Sequence, residues 1–314
     1  MKVSVIIPVY NASQFLEKSV LSALEQPETG EVILVDDKSQ DNSAEISREL
    51  EARFENVRFF THADNKNHGA NITRNRGIEF AAFPFISFLD ADDFYLPGRF
   101  SETKKVFDNF PDAEGVYEAI GTFSYDEQSM QKHVERMKSA TASGTNLMLT
   151  TMTYALKPSE LFEKLFEGAH GWIHLDGFTV TKKALERVGA FDVDLRWNED
   201  NEFFYRLSYQ CKLYPGTLDK AVSMRGVHKD NFTLSSEGTE ITRFYNVIMF
   251  RKLFHFMLKN SMSKNVSRII LFRYLDFYTH RFIKHPITFK RKVIKAFNLI
   301  ITLFRYPITI IKII

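Results

Sequence analysis

Ile86-Ser87-Phe88-Leu89-Asp90-Ala91-Asp92-Asp93 runs from four mostly apolar residues straight into three carboxylates. So short an apolar run reads as a parallel strand buried on both faces. Charges at its carboxyl end make poor core, and in open α/β sheets ligands bind in the crevice outside the carboxyl ends of the strands. Carboxylates two residues apart in a tight turn can converge on one hard divalent cation, which can in turn hold a diphosphate. Taken alone the turn has an equal second reading, with Asp93 merely capping the start of a loop or helix.

Upstream, Val3 to Val9 is a first apolar run, and Pro8 denies a ladder donor near its end. Phe15, Leu16, Ser19, Val20, Ala23 and Leu24 recur at helical spacing, which predicts a helix from about Ala12 to Gln26. Glu31 to Val35 returns to strand and ends on Asp36 and Asp37, a second strand end landing on carboxylates. A helix over 42–54, a strand over 57–60 and a polar loop turning into a helix at 67–77 then lead back to the opening stretch. This alternation predicts a mostly parallel sheet with right-handed crossovers. Downstream the spacing gives a helix at 99–110 and a single strand over 115–123, with no structure assigned to 124–150. Ordered structure resumes over 158–166 and 171–180, a helix at 182–188 follows, then one that opens on Asn198-Glu199-Asp200, then two short strands around Pro215-Gly216.

The formal charge of +2 conceals a division. Residues 243–314 hold 15 of the 41 Lys and Arg but one of the 39 acids, Asp276, a net of about +14 against about −12 for residues 1–242. One cysteine, Cys211, excludes an internal disulfide and a Cys-based metal site, and fits a reducing compartment. The chain enters its first strand at Val3 with no room for a signal peptide, so a cytoplasmic protein is expected.

Ser4–Asn11 (SVIIPVYN), Val35–Ser43 (VDDKSQDNS), Asn67–Gly77 (NHGANITRNRG) and Leu89–Asp93 (LDADD), followed by Val188–Asp192 (VGAFD) and Asn198-Glu199-Asp200, occur in an order that resembles the family-two glycosyltransferases. The resemblance covers about residues 3–235 and implies the GT-A fold: a Rossmann-like α/β domain with a mostly parallel sheet over residues 1–240, about 1–97 being the nucleotide-binding (donor) half and 98–240 the acceptor half, followed here by a helical, basic extension over 241–314. It further implies inverting transfer of a sugar from a nucleotide diphosphate donor, a UDP-sugar being favoured, with Mn²⁺ or Mg²⁺ as cofactor. Two positions depart from the family pattern: Lys38 stands where a glycine is common, and Ile72-Thr73 where small residues are usual.

The resemblance also distributes roles. Pro8, Val9 and Tyr10 are expected along the nucleobase, Asp36 as acceptor for a base N–H, and Asp37 beside it, where it braces the loop. Arg74 is placed at the base or diphosphate. Asp90 goes to the ribose hydroxyls or a metal-bound water, and Asp92 to direct metal contact with His228 completing the site. Asp200 is the expected general base, since an acceptor hydroxyl is a poor nucleophile until its proton is taken; Glu199 is the alternative. Trp172 and Asp176 fall by chain order on the acceptor side.

The longest uncharged run near the carboxyl terminus, Ala296 to Phe304, is half of what a bilayer crossing requires. Basic residues alternating with Phe, Ile and Leu instead fit an interfacial helix at an anionic inner membrane face, with packing on the catalytic domain as the other reading. Nucleic acid is not expected as a partner, because the segment lacks polar and aromatic platforms. The expected acceptor is a saccharide or lipid-linked saccharide. Two other classes compete. A nucleotidyltransferase of related fold usually opens with a glycine-rich loop, which Tyr10-Asn11-Ala12-Ser13 lacks. A non-catalytic nucleotide-sugar scaffold would have little use for Asp90, Asp92 and Asp200 together.

Overall fold

The structure is a computed structural model and describes residues 1–140, 148–168, 170–231, 236–260 and 262–280. The amino-terminal half alternates as expected: β1 (Val3–Val9), α1 (Leu16–Leu24), β2 (Thr29–Asp36), α2 (Ser43–Arg53), β3 (Val57–Thr61), α3 (Ala70–Phe80) and β4 (Phe85–Phe88). Then come β5 (Phe94–Tyr95), α4 (Ser101–Asn109), β6 (Gly115–Tyr117), β7 (Ile120–Ser124), α5 (Glu127–Ala140), β8 (Leu149–Thr150) and α6 (Pro158–Glu167). A helical turn at Leu175–Gly177 leads into β9 (Phe178–Thr181), α7 (Lys182–Val188), α8 (Glu199–Gln210), β10 (Leu213–Pro215) and β11 (Ser223–Val227). Two long helices close the described chain, α9 (Ser236–Lys259) and α10 (Lys264–His280).

Seven strands form the main sheet in the order β10-β6-β9-β4-β1-β2-β3. β4, β1, β2 and β3 run parallel, as do β10 and β6, while β9 lies antiparallel between β4 and β6. Val3, Val5, Ile6, Ile7 and Val9 are buried along with Val32 to Val35, which is why these strands lack polar alternation. α3 comes so close to β1 that a Cβ at Gly77 would lie 2.4 Å from Ile6 Cγ2. A smaller sheet, β5-β11-β7-β8, stands beside the aspartate turn.

The single strand expected over 115–123 is two, in different sheets. The break falls at Glu118-Ala119, where Glu118 N–H donates to the Gly177 carbonyl and Ala119 N–H to that of Thr217. Glu118 itself is buried against Arg99. Residues 127–140, left without structure in the sequence reading, form α5; Asp126 Oδ1 accepts from Ser129 N–H at 2.8 Å ahead of its first turn.

The chain divides into two compact units, Met1–Asp194 with Phe203–Leu234, and Leu195–Glu202 with Ser235–Ile314. In the second, α9 and α10 pack through Phe254 stacked on Tyr274 and Arg273 over Phe250, and Asn198 Nδ2 donates to Asn246 Oδ1 at 2.9 Å. Among the described residues no helix is long and apolar enough to cross a membrane. The apolar tail over 287–314 lies outside the described residues.

Candidate active site

The strand ends meet as a set of cross-braced loops. After β1, Asn11 takes φ +49°, a turn its short polar side chain tolerates, and its Oδ1 accepts from Gln40 N–H at 2.7 Å. Asn11 N–H donates to Ser39 Oγ, Ala12 N–H to Ser43 Oγ and Ser13 N–H to Asp41 Oδ2, so the β1 and β2 loops move as one. Tyr10 is 52 % exposed at the lip and Pro8 is half-buried. Val9 corrects the sequence reading: its side chain is 0 % exposed within the hydrophobic core, so only its backbone can border a base.

Asp36 and Asp37 split the work expected of them. Asp36 Oδ2 accepts from Lys38 N–H and Ser39 N–H, which holds Lys38 at φ +67° where the family commonly has glycine. Its other oxygen, Oδ1, is buried and accepts from no group among the described residues. Asp37 instead caps the loop before α3, accepting from Asn67 Nδ2, His68 N–H and Gly69 N–H at 2.6–2.8 Å. His62 packs behind, its Nε2 3.1 Å from Thr73 Oγ1; burial holds its imidazole below the usual value.

Arg74 is 5 % exposed rather than a surface helix residue, and its Nη2 donates to Asp90 Oδ1 at 2.7 Å. The aspartate turn is closed by Asp93 N–H on the Asp90 carbonyl, to which Ser19 Oγ also donates. Asp92 points to the half-open rim. His228 Nε2 lies 3.0 Å from Asp92 Oδ2, and Asn231 Nδ2 donates to the same oxygen at 3.2 Å. The His228 ring is held against Phe15, which also meets Tyr125.

Asp176 is the second correction. It is 0 % exposed and lies beneath the aspartate turn, where no acceptor can reach it, because Asp90 N–H donates to its Oδ1 and Arg99 Nε to its carbonyl. Its carboxyl faces Asp93 and His174, the three offering ligand-type atoms within 4.8 Å of one another. Burial, with Asp176 and Asp92 nearby, pushes the Asp93 carboxyl well up. Burial also opposes charge on Asp176, but the His174 imidazole and a hydrogen bond from Asp93 hold it well below the ordinary carboxylate range. At the rim, Asp92 and His228 bring a carboxylate and an imidazole to within 3.0 Å of each other, donor types that can ligate Mn²⁺.

Trp172 is 37 % exposed beside the Met152–Gly171 bridge, with its N–H on the Thr151 carbonyl. Glu199 and Asp200 belong to the second unit, in the first turn of α8, where the helix macrodipole favours anions. The first unit therefore gathers Tyr10, Asp36, Arg74, Asp90, Asp92 and His228 around the ends of β1, β2, β4 and β11. Sequence reasoning missed the roles of Phe15, Tyr125 and the buried Arg99–Glu118 pair; Phe15, Arg99 and Glu118 stood in stretches already read as helix or strand, with nothing local to mark what they would touch.

Residues 4–166 match the family described as "Glycosyl transferase family 2". A succinoglycan biosynthesis protein, ExoU of Rhizobium meliloti, is 39 % identical over 103 residues, 32 % of this chain and 29 % of its own length. The chain thus spans under a third of that relative. S. aureus TarS 1–349, solved in complex with UDP-GlcNAc, superimposes with TM-score 0.58 at 17 % identity over 88 % of this chain and 72 % of that one. PcManGT of Pyrobaculum calidifontis, a mannosyltransferase solved with GDP-Man and Mn²⁺, gives 0.53 at 13 % identity over 99 % and 83 %. At these identities the likeness carries the fold, which is GT-A.

Proposed function

The chain belongs to glycosyl transferase family 2, and on that premise we propose that it transfers a sugar, with inversion, from a nucleotide diphosphate donor, UDP-sugar favoured, to a hydroxyl acceptor in cell-surface polysaccharide or glycolipid synthesis. The observation that carries this is the meeting of Asp92 and His228 at the rim, on the same sheet edge, across β1, as an Asp36 oxygen that is buried and accepts from no group among the described residues. A buried acceptor with no donor is costly unless a ligand supplies one, and the N–H of a pyrimidine base does. Tyr10 offers its exposed ring to the base, and Asp90 holds Arg74 in place to meet the phosphates. Asp92 and His228, with Asp90 adjacent, would hold Mn²⁺ or Mg²⁺; when bound, such an ion supplies Lewis-acid neutralisation of the leaving diphosphate.

Asp200 removes the proton from the acceptor hydroxyl as that oxygen bonds to the anomeric carbon. The bond from that carbon to the diphosphate breaks on the opposite face, and its electron pair leaves with the phosphate, giving inversion. Residues 1–240 carry this chemistry. Residues 241–314 attach the protein to the inner membrane face, a reading supported by Phe244 and Phe272, which are exposed on α9 and α10 in a basic segment. Binding of UDP, GDP and a panel of their sugars, in Mn²⁺ and in chelator, tests the donor site: tighter UDP binding in Mn²⁺ that Asp92→Ala abolishes is expected, and equal affinity in both media overturns the metal assignment. Sedimentation of the full chain with anionic liposomes, only partly reversed by salt, checks the membrane arm; a chain that ignores such liposomes ends it.

A further inference from the structure

We propose that Asp176 is the positioning residue of the aspartate turn, setting the place of Asp92 against His228 without touching donor, acceptor or cation. The inference rests on the reading of Asp92 and His228 as the cation-binding rim. Three segments far apart in sequence end at this residue. Its Oδ1 accepts from Asp90 N–H at 3.2 Å, which fixes the first residue of the turn. Its carboxyl faces that of Asp93, the two offering oxygens within 4.8 Å of each other, and Asp93 Oδ1 accepts from Gly226 N–H at 2.7 Å, which fixes the last residue of the turn to β11. Two residues beyond Gly226, the same strand delivers His228 to Asp92. The Asp176 carbonyl accepts from Arg99 Nε at 2.9 Å, anchoring the hub to the start of α4.

The clamp is tight from the other side as well. A Cβ on Gly226 would lie 2.3 Å from the Asp92 carbonyl oxygen, so β11 presses directly on the turn. The turn that carries Asp92 is therefore bounded by β11 on one side and tied through Asp90 N–H to the buried Asp176 carboxylate on the other. Small shifts in such a support reach the rim directly, because close-packed interiors transmit displacement. Asparagine keeps the shape of the side chain and an Oδ1 acceptor for Asp90 N–H, whereas alanine removes that acceptor and glutamate displaces it by one methylene.

The test is calorimetric titration of UDP at a series of Mn²⁺ concentrations, which reads the Mn²⁺ midpoint without turnover. It compares the full wild-type chain, Asp92→Ala, Asp176→Asn, Asp176→Ala and Asp176→Glu, each checked for a native circular dichroism spectrum. Asp176→Ala and Asp176→Glu should raise the Mn²⁺ midpoint by about tenfold or more, the usual size of losing a support behind a metal ligand. Asp176→Asn should stay within about threefold of wild type, well short of that loss. If wild type shows no Mn²⁺ effect at all, the rim reading has failed. If wild type and Asp92→Ala differ as expected but a folded Asp176→Ala or Asp176→Glu keeps the wild-type midpoint, the positioning role is overturned. Should alanine prevent folding, the glutamate variant, which keeps the charge and shifts it by one methylene, decides between the two outcomes.

Discussion

Replacing Arg99 with methionine removes one half of an ion pair in which both side chains are fully buried, Nη1 lying 2.7 Å from Glu118 Oε2. Desolvation makes such a pair a weak net stabiliser, yet deleting one partner leaves a buried charge and costs about 3–5 kcal/mol. Glu118 would keep two neutral donors, Thr103 Oγ1 at 2.6 Å and Thr217 N–H at 3.2 Å, which places the expected loss near the lower end of that range. Asp176 would also lose the Arg99 Nε donor on its carbonyl. For a unit of this size about 3 kcal/mol corresponds to a fall of roughly 6–12 °C in Tm. Urea unfolding followed by far-ultraviolet circular dichroism at pH 7 measures it directly. Adding Glu118→Gln to Arg99→Met removes the stranded charge while keeping an acceptor for Thr217, so the double variant should regain about half of the loss. A single variant that loses less than about 1 kcal/mol, or a double variant no more stable than the single one, would refute the claim that the pair is electrostatically isolated from water.

Asp200→Asn should leave UDP affinity intact and lower turnover by about a hundredfold or more, the scale of a general base; if Glu199→Gln shows that loss instead, the base lies one residue earlier. Because the folded state holds the His62 imidazole below its ordinary pKa by burial, folding resists its protonation, so its contribution is whole above the unfolded value and is lost as pH falls through the folded one. Tm should accordingly fall from pH 7 to pH 5 more steeply for the wild type than for His62→Gln, and parallel curves would dismiss the effect. Lys38→Gly should raise stability by about 0.5 kcal/mol, because relief of the left-handed strain at φ +67° outweighs the entropy of a glycine in the unfolded chain; a loss of stability on thermal melting would count against it.

Much of the donor half was legible because its signals are local. Each parallel strand is a short apolar run, and each ends on a polar or acidic turn, so β1, β2, β3 and β4 fall within a few residues of their expected bounds. The pairing of Asp92 with His228 was readable only through the family resemblance, since the two are 136 residues apart. Burial by distant chain was not readable. Asp176 was placed on the acceptor side by chain order alone, yet the turn at Leu175–Gly177 folds it under Asp90. Val9 continued an apolar run and was still assigned to the base, although the strand period turns its side chain into the core. The strand over 115–123 broke at a glutamate whose partner, Arg99, lies 19 residues earlier in the turn before α4.

The antiparallel seat of β9 has a consequence for how the protein is made. Phe85 to Ser87 pair with Thr179 to Thr181, so one edge of β4 stays unsatisfied until about 90 further residues have been synthesised. At ordinary elongation rates that delay is about 5–20 s, long compared with the collapse of the four strands already present. During it the nascent donor half presents an apolar strand edge, the kind of template that recruits a neighbouring chain. A fragment ending at residue 166, where the family match stops, would keep that edge permanently, with β4 and β6 separated by a missing strand. The nucleotide half is thus sequence-contiguous without being an autonomous folding unit, and its last strand is delivered by the half that follows it.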